Sequence, residues 1–367
     1  MTTPTREPQP VEPAPPAHDQ GPTWPGPHPG RGLLPRRQFL LGDATDRLQG
    51  LPRGSVDTVL TSPPYFRLRN YDTPTQIGTE PAIGDWVDNL REILAEVARV
   101  LVPTGTVWLN LGDAYATHPH QGAGRKSLLL GPERLALVLV QDGWLLRNKI
   151  IWHKTNPMPM SVTDRFTSTY EVVYLLTRRP DYFFDLDATR IPHTGHAKPR
   201  RQPSVQDDTA RGPNAAGTSG LSHLKDLGLP GHRLGKNPGD LWHLATSAYR
   251  GKHPAMFPQG LAEHAITAGC PERRCQTCRA PHTRHIMHAI GATATRGNLT
   301  PTCDCDADTE PGIVLDPFMG AGTTALAAEH LNRDWLGIEL NPDYLNLATQ
   351  RLHHTRAGPP PHQQDAA

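Results

Sequence analysis

The most constraining feature of this chain is a set of short, almost wholly apolar runs that alternate with helix-length stretches. VDTVL (56–60), TVWLNL (106–111), NKIIWH (148–153), EVVYLL (171–176), GIVLD (312–316) and WLGIEL (335–340) each read as a strand. A strand without a polar face must be covered on both sides, the condition of a sheet held between two layers. The stretches between the runs supply those layers. In 82–101, Trp86, Leu90, Ile93, Leu94, Val97 and Leu101 form one apolar stripe, and Pro103 and Gly105 stop it. Further helices are expected over 131–141, 259–268, 322–332 and 342–353. The alternation predicts an α/β fold with a mostly parallel, doubly wound sheet.

The alternation fails in four places, and these divide the chain. Residues 1–35 are rich in Pro, Gly and Thr and are expected to be a disordered tail, as are 354–367. Residues 190–240 carry Pro, Gly, Ser and His with little periodicity. Their basic residues, among them Arg190, Lys198, Arg200, Arg201 and Arg211, outnumber the opposing aspartates. Residues 273–310 hold clustered cysteines. One catalytic half then spans 36–189, and a ligand-binding half is assembled from 241–272 and 311–353. The net charge is +1, so no global field draws the chain to a polyanion or a membrane, and any such contact must come from local patches. The chain has no apolar run near 18 residues and no signal-peptide pattern, so a cytoplasmic protein is expected.

One strand-to-helix turn is rich in glycine. In VLDPFMGAGTTALAAEHLNRDWLGIELNPDY (314–344), a strand ends in Asp316. Pro317, Phe318, Gly320, Gly322 and Thr323 follow, then a helix, and a second strand ends in Glu339. Glycines let backbone approach a ligand closely, and an acid ending the next strand can accept from ribose hydroxyls. The turn lacks both a full G-x-G-x-x-G and the lysine of a triphosphate loop. It suits a nucleoside ligand without phosphates, such as S-adenosylmethionine. A plain strand–turn–helix with an exposed acid is the other reading.

A second turn is stranger. VDTVL runs straight into TSPPYF (61–66), where two prolines forbid further ladder pairing. TSPPY after a buried strand, with DPFMGAGTT some 250 residues later, resembles the DNA amino-methyltransferases, which methylate adenine N6 or cytosine N4. The catalytic motif preceding the cofactor motif resembles the β group of that family, a circularly permuted Rossmann-like methyltransferase. The resemblance covers about 38–353, apart from parts of the two insertions.

The chemistry explains the prolines. The lone pair of an exocyclic amine is delocalised into its ring, and acceptors aimed at the amine hydrogens free it. Ser62 offers a hydroxyl and Pro63 a carbonyl, and Pro63 and Pro64 together hold that carbonyl rigid. Tyr65 can stack on a base rotated out of the duplex, and Phe66 can help wall the pocket. No cysteine precedes Cys270, so a cysteine nucleophile for carbon-5 methylation is not expected. The resemblance also implies cofactor contacts from Asp43 in LLGDATDRL and from Phe257 in GKHPAMFPQG, with His253 nearby. Asp43 can equally be a turn residue. Asn110, Asp113, Trp152, Lys154 and Asn156 fall in segments that resemble the family's base pocket and strand contacts, with helix capping as the alternative for Asp113 and core packing for Trp152.

The resemblance places target recognition in 190–240. The cysteines give Cys275-x2-Cys278 and Cys303-x-Cys305, two tight pairs whose spacing suits a tetrahedral zinc ion in a small ribbon. His282 and His285 are alternative ligands, and Cys270 is set apart. Four thiolates leave no open position, so the zinc would be structural. The expected function is methyl transfer from S-adenosylmethionine to a flipped base in double-stranded DNA, with cytosine N4 favoured slightly over adenine N6. A separate restriction endonuclease is a possible partner. An RNA amino-methyltransferase of the same fold and a catalytically idle DNA-binding module are the alternatives.

Overall fold

The computed structural model describes residues 34–69, 73, 76–192, 232, 234–246, 256–287 and 295–357. Eight strands form one sheet. Its order is β1 (Gln38–Leu41), β12 (Asp334–Glu339), β11 (Ile313–Asp316), β2 (Val56–Thr61), β3 (Leu101–Leu111), β5 (Tyr170–Thr177), β4 (Leu145–Lys154) and β6 (Leu241–Leu244). All neighbours run parallel except β5, which is antiparallel to both β3 and β4.

Alternate residues of the central strands feed two separate cores. Val59, Val107, Leu109, Leu315 and Leu336 point to one face. There α1 (Ala44–Gln49), α2 (Ile83–Val100) and α3 (Gly131–Gln141) cover them with Leu48, Trp86, Leu90 and Leu135. Leu60, Trp108, Val314 and Trp335 point to the other face. Past the single turn α4 (Leu186–Thr189), they meet Leu261, Ile266, Leu326 and Leu352 of α5 (Gln259–Gly269), α6 (Thr323–His330) and α7 (Pro342–Ala357). Each such side chain removed from water contributes about 1.5–3 kcal/mol, which is why the strands carry no polar face. The sheet is therefore doubly wound, as the uninterrupted apolar runs predict.

Several elements depart from expectation. β1 and α1 have too little pattern to be read locally. β1 is four residues long and only half-buried, and it forms by pairing Phe39 with Gly337 and Leu40 with Ile338. β3 begins directly where α2 ends, at Leu101, so Pro103 and Gly105 lie inside a strand rather than in a loop. A register shift between Val56 and Thr58 on β2 absorbs them. α7 runs to Ala357, past the expected end at 353. Thr355 bonds back to Arg351, and Arg356 pairs with Glu329.

The cysteine segment forms small strands between α5 and β11. β7 (Arg274–Cys275) pairs with β10 (Thr309–Glu310), and β8 (His282–Met287) pairs with β9 (Thr295–Pro301). Most of 190–240 lies outside the described residues, as do residues 1–33. Among the described residues, no helix is long and apolar enough to cross a membrane.

Candidate active site

The sheet places the two turns side by side although 250 residues separate them. β2 and β11 are parallel neighbours, with Val314 opposite Thr58 and Leu315 opposite Val59. Both therefore end at the same edge, and Thr61 Oγ1 donates to Asp316 Oδ1 at 2.7 Å. From β2 the chain crosses towards β3, and from β11 towards β12. This is the switch point, where doubly wound sheets open a crevice.

The glycine turn is held from inside. Asp316 is 1% exposed. It also accepts from Thr324 Oγ1 at 2.6 Å and the Phe318 amide at 3.0 Å. Burial without a cationic partner pushes its carboxyl up to about 6. Glu339 accepts the Gly320 amide on one oxygen and the Asn341 amide on the other, both at 2.8 Å, and burial raises its carboxyl too. Gly322 sits at φ +81°, and a Cβ there would lie 2.9 Å from Ala348 Cβ. That position requires glycine both for its backbone and for the approach of α7.

An open cleft of about 870 Å³ lies above these strand ends. Its walls include Asp43, Ser62, Pro64 and Phe257. Pro317, Phe318, Gly320, Thr323 and Glu339 supply the glycine-turn side. Asp316, Gly322, Pro63 and Tyr65 are not among its walls; the first two shape the turn from behind. Asp43 also caps α1, accepting the Thr45 amide at 2.8 Å, so the turn reading and the cleft position hold together. Sequence reasoning missed Gln76, Ile77, Met319, Asn341 and Tyr344, which also line the cleft. Asn341 and Tyr344 follow Glu339 closely enough to have been found, whereas Ile77 arrives through the path of a loop. His253 lies outside the described residues.

The proline turn is fixed by its neighbours. Trp86 Nε1 of α2 donates to the Pro64 carbonyl at 2.9 Å. Ser62 Oγ lies 3.0 Å from Tyr65 Oη, which donates to Glu171 Oε2 at 2.6 Å. Asn110 Nδ2 reaches Tyr65 Oη at 2.6 Å and Glu171 Oε2 at 2.8 Å. Lys154 Nζ holds Glu171 Oε1 at 2.5 Å. The Tyr65 ring lies against the Gly112 backbone, where a Cβ would come within 2.7 Å of Cε2. Glu171 was missed because it reads only as the first residue of EVVYLL.

Other expected contacts fall elsewhere. Phe66 is buried in the core beneath α2 and does not wall the cleft, because the turn after Tyr65 directs it inward. Trp152 is core, with Nε1 donating to the Leu244 carbonyl at 3.0 Å. Asp113 accepts the Leu130 and Gly131 amides and so anchors the start of α3. Asn156 accepts the Thr246 amide.

The four cysteines converge. The Sγ atoms of Cys275, Cys278, Cys303 and Cys305 all lie within 4.8 Å of one another. A tetrahedral zinc–thiolate centre, with zinc–sulfur bonds of about 2.3 Å, needs sulfurs about 3.8 Å apart, so the donor set fits such an ion. The Arg279 amide closes the first pair onto the Cys275 carbonyl at 3.0 Å, with Arg279 at φ +65°. Neither His282 nor His285 belongs to the group. Cys270 is buried under Gly312 and stands apart, as expected.

A permuted doubly wound sheet with a cleft at its switch point defines a Rossmann-like methyltransferase. Residues 56–350 match the model of the DNA methylase family, the N6/N4 methyltransferases, and the chain belongs to that family. It is 29% identical to the Type II methyltransferase M.SmaI of Serratia marcescens, over 87% of this chain and 91% of that protein. It is 33% identical to M.XycI of Xanthomonas campestris pv. cyanopsidis, over 85% and 86%. Among solved structures, PvuII DNA methyltransferase (cytosine-N4-specific) shares the fold, with a TM-score of 0.53 and 19% identity over 87% of this chain and 86% of that one.

Proposed function

We propose that the protein methylates the exocyclic amine of a base in double-stranded DNA, with cytosine N4 as the favoured acceptor. The observation that carries this reading is the meeting of Ser62 and the glycine turn in one cleft, at the ends of adjacent strands. S-adenosylmethionine supplies the methyl group. Glu339, with a lone pair left on each oxygen, accepts from the ribose hydroxyls, and Phe257 and Phe318 provide apolar wall. Asp316 keeps the turn in shape.

The residues of the proline turn act on the amine. The target base leaves the duplex to reach Ser62 at the margin of the cleft and stacks on Tyr65 beside it. Ser62 Oγ and the Pro63 carbonyl accept its two amine hydrogens and draw the nitrogen towards tetrahedral geometry. The prolines and the Trp86 bond fix those acceptors before the substrate arrives, so no reorganisation is needed at the reaction. Transfer would be a direct displacement: the nitrogen–carbon bond forms as the carbon–sulfur bond breaks, S-adenosylhomocysteine leaves, and the extra proton of the methylated amine passes to solvent.

Ser62 at the head of the motif supports cytosine N4 over adenine N6. The Type II methyltransferase relatives support a place in a restriction–modification system with a separate endonuclease, in the cytoplasm. Residues 190–240 are assigned target recognition, and the four cysteines a structural zinc ion. The test is labelled S-adenosylmethionine with unmethylated duplex DNA, followed by nucleoside digestion and mass spectrometry. N4-methylcytosine is expected. N6-methyladenine would move the assignment to the other amine. Label appearing in RNA alone, or bound cofactor with no transfer, would overturn the DNA reading.

A further inference from the structure

The side chains behind Ser62 form a hydrogen-bonded chain whose direction is set at its far end. Glu171 as a carboxylate can only accept. Its Oε2 is 2.6 Å from Tyr65 Oη, so the Tyr65 proton points to Glu171. Ser62 Oγ lies 3.0 Å from the same Tyr65 oxygen. With the Tyr65 proton already committed, only the Ser62 proton can fill that contact. The Ser62 hydrogen is thus drawn inward; Asn110 Nδ2 lies on one lone pair of its oxygen at 3.3 Å, and the other is left for the cleft. Reversed, Ser62 would present a hydrogen to an amine that also presents hydrogens.

Two further groups hold this arrangement. Lys154 Nζ lies 2.5 Å from Glu171 Oε1, and both side chains are largely buried, so the ion pair holds Glu171 in place with Oε2 turned to Tyr65. Asn110 turns its amide nitrogen to Glu171 Oε2 and Tyr65 Oη, and more distantly to Ser62 Oγ. Its Oδ1 is left buried with no hydrogen-bond partner among the described residues. An unpaired buried acceptor costs about 1–3 kcal/mol. The opposite amide orientation would set oxygen against carboxylate, so Glu171 dictates this one as well.

We infer that Glu171, held by Lys154, is a positioning residue for methyl transfer: it fixes the proton direction of the Ser62–Tyr65 pair so that Ser62 meets the target amine as an acceptor. The inference rests on the methyl-transfer reading of the cleft. It assigns a task to a residue that touches neither the cleft wall nor the substrate.

The test is a double-mutant cycle on the full chain, with duplex DNA from a methylase-deficient bacterium and labelled S-adenosylmethionine. Glu171→Gln keeps the size but adds donors, so the Tyr65 proton is free to turn back towards Ser62. Turnover should fall roughly 30- to 100-fold, the scale of losing one preorganised hydrogen bond at a reacting group. The dissociation constant for S-adenosylmethionine and the KM for DNA should move less than about threefold, since the residue acts through Ser62 rather than on either ligand. Tyr65→Phe removes the link in the middle and should cost a similar factor. The double variant should be no slower than the worse single one, because a chain already broken cannot be broken again. Full turnover in Glu171→Gln, or losses that multiply in the double variant, would overturn the inference. If Glu171→Gln does not fold by thermal melting, full turnover in Tyr65→Phe would overturn it equally. Absence of methyl transfer by the wild-type chain would instead sink the underlying reading, and the inference with it.

Discussion

Asp316 shapes the glycine turn from behind the cleft and does not line it. It sits wholly inside the protein with two threonine hydroxyls and one amide, and no cation offsets its burial. Its folded pKa of about 6 exceeds the value of about 4 for an unfolded aspartate. Between those values the folded chain carries a proton that the unfolded chain has lost. Stability from this group is therefore complete below about pH 4 and declines as pH rises through about 6. Asp316→Asn removes the titration and keeps an acceptor. Chemical denaturation of both proteins should show the variant gaining on wild type between pH 4 and pH 7; a constant difference would argue against a raised carboxyl. Tyr65 is the opposite case, a residue assigned to the substrate. Base–aromatic stacking contributes about 1–3 kcal/mol, so Tyr65→Ala should lower turnover roughly ten- to hundredfold or more. S-adenosylmethionine binding by calorimetry should stay near normal, because the ring is not among the cleft walls. Unchanged turnover would remove Tyr65 from the site.

At the scale of elements, the start of α6 and the cysteine ribbon make separate demands. Gly322 carries φ +81° and has no room for a methyl beside Ala348. Gly322→Ala should destabilise the protein by about 1–3 kcal/mol by urea denaturation and weaken cofactor binding with it, since the same turn shapes the cleft floor. The ribbon is too small to bury a core of its own, so its fold depends on the convergence of four sulfurs. Cys275→Ser should lose bound zinc by elemental analysis and lower the melting temperature. Zinc content unchanged from wild type would refute the assignment. The alternation of apolar runs made the long central strands and most helices legible, because each buries its own pattern. β1, β6 and the ribbon strands were not legible. They are two to seven residues long and exist only through their partners.

Across the whole molecule, a buried cation ties the ribbon to the sheet, beside the bonds of Arg279 to the Gly54 carbonyl and of Arg296 to Asp185. Arg274, between the knuckle and the core, donates to Asp57 Oδ2 at 2.7 Å, Glu310 Oε1 at 2.8 Å and the Ser55 carbonyl at 2.9 Å. Asp57 in turn accepts the Ile313 amide at the start of β11. The cation thus joins the ribbon to the beginnings of the two strands whose far ends carry the site. Arg274→Met would leave Asp57 buried without its cation, while Glu310 keeps Arg36, and should cost about 3–5 kcal/mol in denaturation. A loss below 1 kcal/mol would show that Arg274 is not what holds the ribbon to the sheet.

The sequence by itself determined the doubly wound class, the glycine turn, the proline turn and the two cysteine pairs that converge. Each of these is written in residues close together along the chain, where local sterics and periodicity act. Only the tertiary structure decided that β2 lies beside β11, that Thr61 meets Asp316 across 255 residues, and that Glu171 and Lys154 stand behind Ser62. Those meetings follow from sheet order and strand register, which are fixed by how the whole core packs and leave no mark on any one segment.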